Sequence, residues 1–404
     1  MLKVRGSLRQ FAAWLVAGAC MALALPSIAS AQLYGRNVAQ PYFDFPPWAR
    51  FTDCRPMPLA WGFDPYAPYH SCDGAEACVP DHCGKDRFVA HRPNGWYATA
   101  DFVPLTFDTS RDVEFARFGP LGPTVLSTSD LDAEFDSGGE FTIGRTIGDC
   151  WRVEGTYLGA YSWDDFAVVQ DSSANALGGT GNLSSLLSEF ALPPVPGLDF
   201  NNFVSVQSFT SLTSAEVNLR YWINMPPGPL DVSLLVGARY LNFEDRILFR
   251  SEADAPAPGG AINQVRTRTE NELYGLQLGI QGALLVTQHA WFDLDLKGAI
   301  CQNTASQDTA YLNVDELGVA TVFPTGREQE RTSFLGDISL MFNVQCSPSM
   351  VVRVGYQATF LTGMAIAAEN IETNNVLLRN GPGRLDDTGE LVYHGPAIGL
   401  TWAR

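Results

Sequence analysis

The chain has 404 residues, 46% of them hydrophobic and 17% charged, with 26 Lys plus Arg against 44 Asp plus Glu and a net charge of −18. This balance excludes a nucleic-acid surface, which needs clustered cations to neutralise phosphates; only Lys3, Lys85 and Lys297 are lysines. The apolar content excludes wholesale disorder, and no uncharged apolar run beyond residue 31 approaches the roughly 20 residues of a spanning helix.

Lys3, Arg5 and Arg9 precede an apolar run from Phe11 to Leu25 and a small-x-small site at Ala29-Ser30-Ala31. That is the layout of a cleaved secretory signal peptide over residues 1–31. Cys20 also fits a lipoprotein acylation site, but the apolar run continues five residues past it. Cleavage removes three basic residues and leaves a charge of −21 on a chain exported to where disulfides form.

Residues 32–93 hold nine prolines and Cys54, Cys72, Cys78 and Cys83. Neither helical nor strand period is visible, so an irregular, cross-linked segment is expected, with three pairings open to its four cysteines. Cys72, Cys78, His82 and Cys83 match no strong zinc spacing, and an exported chain favours disulfides; no metal or other cofactor is expected.

From Trp96 the period becomes two. Trp96, Ala98, Ala100 and Phe102 alternate with Tyr97, Thr99 and Asp101; Phe141, Ile143 and Ile147 share a phase that Arg145 breaks. Trp151, Val153, Gly155, Tyr157, Gly159 and Tyr161 form the next row, and similar rows recur to Ile398, Leu400 and Trp402. Ten strands result, near 94–107, 137–148, 150–166, 205–224, 230–250, 264–287, 289–304, 331–345, 349–364 and 391–403. Alternation suits any half-buried sheet. The connections discriminate, because long and short ones alternate throughout: tight turns at Gly148-Asp149, 225–229, Gln288 and Cys346-Ser347-Pro348, and long loops between, including one near 305–330. A membrane barrel does this, with short periplasmic turns at one rim and longer outer loops at the other. The fold expected for residues 94–404 is therefore an all-β, closed antiparallel transmembrane β-barrel of about ten (10–12) strands. Its outer strand ends project past the membrane, and both chain ends lie on the periplasmic side.

Trp96, Tyr97, Trp151, Tyr161, Tyr221, Trp222, Tyr240, Trp291, Tyr356 and Trp402 lie near strand ends. They suit interfacial girdles and, equally, the ordinary aromatic content of strands. Pro104 and Pro396 fall inside assigned strands, where each costs a ladder bond.

The phase turns Arg152, Glu154, Glu216, Arg220, Asp231, Arg239, Asp293, Asp295, Lys297, Asp337 and Arg353 into the lumen. Five basic and six acidic groups in so narrow a space should pair and partly fill it, giving a constricted, charge-lined interior rather than a wide pore. Catalysis is not expected: no G-x-S-x-G or H-E-x-x-H occurs. His289 falls at a turn, His394 near the outer rim, and Lys297 beside Asp293 and Asp295 suggests ion pairing. Cys150 and Cys346 fall at periplasmic turns of non-neighbouring hairpins, so a bridge between them would cross the barrel mouth.

The segments WYATADF, GDCWRVEGTYLG, SAEVNLRYW, LLVGARYLNFEDRI, NELYGLQLGIQGAL, VVRVGYQATFLTG and HGPAIGL resemble the putative beta-barrel porin-7 family, over roughly residues 94–404. The resemblance implies an outer-membrane β-barrel and a transport role, without a known substrate. Many outer-membrane barrels end in an aromatic residue; this chain ends Trp402-Ala403-Arg404. The expected function is passive, porin-like passage of small polar solutes or ions. The alternatives are a structural or surface-exposed barrel with no open pore, and a secreted soluble β-sandwich. Expected partners are outer-membrane lipids and the barrel assembly machinery, with no nucleic acid; the sequence leaves oligomeric state open.

Overall fold

The structure, a computed structural model, describes residues 95–403 apart from 132–133, 149, 224–228, 255–261, 288, 316, 382 and 384. The expected signal peptide over 1–31, the 32–93 segment and the expected cross-linking of Cys54, Cys72, Cys78 and Cys83 lie outside the described residues. In chain order the strands are β1 (Trp96–Phe102), β2 (Thr106–Thr109), β3 (Glu114–Phe118), β4 (Thr124–Ser127), β5 (Gly139–Ile147), β6 (Trp151–Gln170) and β7 (Leu183–Ser185). There follow β8 (Asn201–Ile223), β9 (Leu230–Ala253), β10 (Ile262–Thr287), β11 (Ala290–Val314), β12 (Ala320–Ser347), β13 (Met350–Met364) and β14 (Gly389–Ala403), with a short helix α1 (Asn375–Asn380) before β14.

Ten strands close a ring in the order β1-β5-β6-β8-β9-β10-β11-β12-β13-β14, all neighbours antiparallel, with β1 pairing β14 to seal it. Closure gives every edge a partner, which hydrocarbon demands of a spanning sheet. The short turns and both described chain ends share one rim; at Gly148 a φ of 64° allows the tight reversal into β6.

The wall has two levels of opposite polarity. On β10 the outward positions from Leu284 to Tyr274 are apolar or Gly, with Leu276 75% exposed. Those eleven residues, ten steps of about 3.3 Å at the tilt of such barrels, cover roughly 25 Å, the height of a lipid-facing band. Beyond Tyr274 the same side carries Glu272, Glu270, Arg268, Arg266 and Gln264. On β9 the outward row changes from Leu234 and Val236 to Asn242, Glu244 and Arg246, while Leu241, Phe243, Ile247 and Phe249 turn inward and are fully buried. The Tyr240 and Tyr274 rings, 4.8 Å apart between centres and tilted by 41°, mark the change. Below this line the barrel is greasy outside and polar inside; above it, the reverse.

Apolar groups from three connections fill the upper level. Phe115 and Leu126 come from residues 103–138, Leu187 and Leu198 from 171–200, and Ile366 and Leu378 from 365–388. They pack in one cluster with Trp163, Phe243, Phe249, Tyr311 and Tyr393 of the wall. Each such side chain contributes about 1.5–3 kcal/mol by leaving water.

Three expectations require correction. The loop expected near 305–330 is a ribbon: β11 and β12 stay paired from Gln302↔Thr332 to Val314↔Ala320. Its sequence lacks alternation because no lipid faces it, and backbone ladders hold it together. The strand drawn at 94–107 breaks after Phe102 and resumes as β2. Register against β14 runs through the gap, Phe102↔Ile398 and Thr106↔His394, which sets Pro104 opposite Pro396 so that both missing donors fall on one rung. Val103 and Leu105 instead donate to Gly138 and Asp136, while Tyr161 Oη (2.7 Å) and Trp163 Nε1 (3.2 Å) donate to their carbonyls. Finally, a bulge between Leu158 and Tyr161, with Ala160 at φ 71°, shifts the phase of β6. Tyr161 therefore points inward, against its sequence row.

Candidate functional site

The lower level of the lumen is a polar cavity of about 190 Å³, lined at its short-turn end by Pro348, Ser349 and Ala403. Arg152, Glu154, Glu216, Arg220, Arg239, Asp293, Asp295, Lys297, Asp337 and Arg353 all line it, and Asp231 lines a small adjoining recess with Asp293. Their strands place them there by phase alone, since a two-residue period sends alternate side chains to the same face.

The charges form two linked clusters. In the first, Glu154 pairs with Arg152 and, at 3.3 Å, with Arg220; Arg220 also reaches Asp295 at 2.9 Å and donates to Gln281 Oε1 at 2.8 Å. Tyr97 donates its hydroxyl to Glu154 at 2.6 Å, and the Arg152 guanidinium lies over the Tyr97 and Trp222 rings. In the second, Glu216 takes Lys297 at 3.0 Å and Arg239 at 3.3 Å, while Arg239 also pairs with Asp337. Gln277 and Asn218 donate to the same Glu216 oxygen at 2.9 and 3.0 Å. Thr359 donates to Asp337 at 2.6 Å. Asp293 accepts from Asn343 and Trp291, and Arg353 lies 3.3 Å from Asp101. Charges removed from water persist only when partnered in this way.

Sequence reasoning passed over several residues here. Asp101 and Glu140 bring the lumen to eight carboxylates against five cations, and Glu140 makes no hydrogen bond or ion pair among the described residues. Tyr97, Trp222 and Trp291 are buried in the lumen and Tyr161 in the core, so these four leave the proposed girdle. Their signal was available, because Tyr97 and Trp291 share the phase of Asp101 and Asp293. Gly144 and Gly399 make the room: a Cβ at Gly144 would strike the Tyr97 ring, and one at Gly399 the Asp101 carboxylate.

Above this layer the 365–388 connection is gripped by the wall. Asn271 accepts from Ala365 N–H and donates to Ala365 C=O, both at 2.8 Å, and Asp245 accepts from Ala367 N–H at 2.8 Å. Arg111 pairs with Glu369 (2.9 Å) and Asp386 (3.2 Å), and Arg331 with Asp387 (2.7 Å). Burial pushes the Glu369 carboxyl above its usual range, against the pull of Arg111. Burial acts on Asp386 too, but hydrogen bonds from Thr388 and Arg111 hold it below.

Of the remaining candidates, His394 sits away from the lumen lining, its Nδ1 2.7 Å from Tyr356 Oη and its Nε2 3.4 Å from Asp108. His289 lies at the β10–β11 turn. The Cys150–Cys346 bridge is absent: Cys346 is free and exposed, Cys301 is free and buried in mid-strand, and the disulfide of Cys150 involves neither. The two cysteines sit on different hairpins, as the crossing of the mouth had already made difficult. No cluster of three or more metal-ligating side chains occurs among the described residues.

Comparison with solved structures finds the outer membrane protease OmpT from Escherichia coli at 9% identity, covering 78% of this chain and 98% of that one with a TM-score of 0.43. A Pseudomonas aeruginosa FadL homologue matches at 8% identity over 77% and 90%, TM-score 0.28. A major outer membrane protein from Thermus thermophilus matches at 9% over 76% and 98%, TM-score 0.27. Comparison with curated proteins finds no match. The family model described as putative beta barrel porin-7 matches residues 100–387. With its closed ring of ten strands and its lipid-facing belt, the chain belongs to the beta barrel porin-7 family of outer-membrane β-barrels.

Proposed function

We propose that the protein is a surface-exposed outer-membrane barrel whose resting state is closed to free diffusion. One observation carries this reading: the apolar cluster that joins the three outer connections to the wall occupies the level above the charged layer. An apolar, close-packed interior excludes ions and water. A second reading is supported by the polar cavity below it: small polar solutes or ions pass when the 365–388 connection moves aside. On that reading, eight carboxylates against five cations favour cations. Neither reading involves a catalytic step. Planar-bilayer recording of the refolded full chain tests the proposal. The closed reading expects no current steps at moderate voltage, and a steady ohmic conductance in the unmodified protein would overturn it.

A further inference from the structure

Between the aromatic girdles, the outward positions of the ten ring strands are apolar, small or aromatic, with one charged exception among the described residues, Arg145. It lies on β5 between Ile143 (47% exposed) and Ile147 (54% exposed), two residues from the end of the strand and so at the short-turn border of the belt. Its register partner on β1 is Trp96, and the guanidinium carbon stands 5.3 Å from the centre of that ring. Trp402, exposed on the adjacent β14 beside Ala98, continues the girdle. No carboxylate among the described residues pairs with Arg145.

An arginine on the lipid face costs about 2–4 kcal/mol at mid-membrane and about 0–1 near the interface, so its level is tolerable only where polar headgroups reach it. A guanidinium held over an indole face gains cation–π attraction and keeps its in-plane N–H donors for another acceptor. Those donors match two oxygens of a phosphate. The flanking isoleucines make the patch amphiphilic: a partner must bring apolar chains alongside its anion. A free phosphate does not, whereas a phospholipid does. We propose that Arg145, with Trp96 and Trp402, holds the phosphate of a phospholipid in the inner leaflet of the outer membrane. The proposal rests on the membrane reading of the belt.

The test uses the full chain, refolded and delipidated in a maltoside detergent. Dimyristoyl phosphatidylglycerol is titrated in, and bound copies are counted by native mass spectrometry. Folding of each sample is checked by heat-modifiable gel mobility. Arg145→Gln should weaken the tightest-bound lipid by about tenfold, Arg145→Lys by less, and Arg266→Gln, outward but above the belt, not at all. Should Arg145→Gln fail to fold, the unmodified protein should still prefer phosphatidylglycerol to diacylglycerol of the same chains by about tenfold. Equal binding by the unmodified protein and Arg145→Gln, or equal affinity for the two lipids, overturns the assignment. Competition by millimolar inorganic phosphate alone would also overturn it, in favour of a simple anion site. Failure of the belt reading looks different: no form of the protein would retain lipid at all.

Discussion

Asn271→Ala should release the connection that closes the outer level. Asn271 is fully buried, and its amide satisfies both the N–H and the C=O of Ala365, itself fully buried. Removing the amide leaves two buried backbone groups unpaired, at about 1–3 kcal/mol each. The closed state then loses roughly 2–6 kcal/mol relative to a released one, a shift of about thirtyfold to twenty-thousandfold in the opening equilibrium, at tenfold per 1.4 kcal/mol. Hydrogen exchange reads this directly: amides of residues 365–371 should lose protection by that factor, while those of β10 below Tyr274 keep theirs. In bilayers the variant should flicker into conducting states that the unmodified chain lacks. Unchanged protection at Ala365 and Ala367 would show that the apolar contacts alone hold the connection, and the latch argument would be wrong.

Other outcomes follow from the same geometry. Arg239→Leu leaves the mostly buried Asp337 without its cation, while Glu216 keeps Lys297, and should cost about 3–5 kcal/mol in urea unfolding from vesicles, against at most about 1 for Arg250→Ala in its exposed pair with Glu252. Leu278→Arg, 69% exposed in mid-belt, should cost about 2–4 kcal/mol by the same assay; an equal cost for Glu270→Arg would contradict the boundary at Tyr274. Ala160→Gly, at a φ of 71°, should stabilise by about 1 kcal/mol, and a loss of stability would deny the bulge. The two carboxyls on Arg111 should respond to pH in opposite senses. Glu369 is shifted up by burial, so the folded loop keeps its proton longest; closure is favoured in mild acid and weakens as pH rises through the raised value. Asp386, held low by its hydrogen bonds, contributes above the ordinary carboxylate range and loses that only as pH falls through the depressed value. Exchange protection of the 365–388 amides against pH separates them, since Glu369→Gln should abolish the mild-acid dependence alone.

Much of the lower barrel was legible because lipid imposes a rule on every second residue. Wherever Leu234, Leu278 or Leu400 must face hydrocarbon, the intervening Ser233, Gln277 and Gly399 must face the lumen, and strand count and lumen side follow. The upper level obeys another rule, and its signal lay in the inversion itself. In Leu241-Asn242-Phe243-Glu244 the alternation continues unbroken while the apolar phase crosses to the other side of the wall, so period alone cannot locate the change. Tyr161 was misplaced because the one extra residue at the bulge reverses the direction of the side chains that follow while leaving the spacing of the aromatics unchanged. The ribbon of β11 and β12 was missed because Gln302 to Asn313 is polar on one face and mixed on the other. The plug was not visible at all, since it depends on contacts such as Asp245 with Ala367 that join residues more than a hundred positions apart.

The inversion of polarity along β9 is the claim on which the rest depends, and spin-label accessibility along that strand addresses it most directly. Single cysteines would be introduced at 234, 236, 241, 242, 243 and 244 in a background with Cys346 replaced, labelled and reconstituted in vesicles. Labels at 234 and 236 should collide with lipid-dissolved oxygen, those at 242 and 244 with an aqueous nickel chelate, and those at 241 and 243 with neither. Nickel access at 234 and 236, or oxygen access at 242 and 244, would contradict the account.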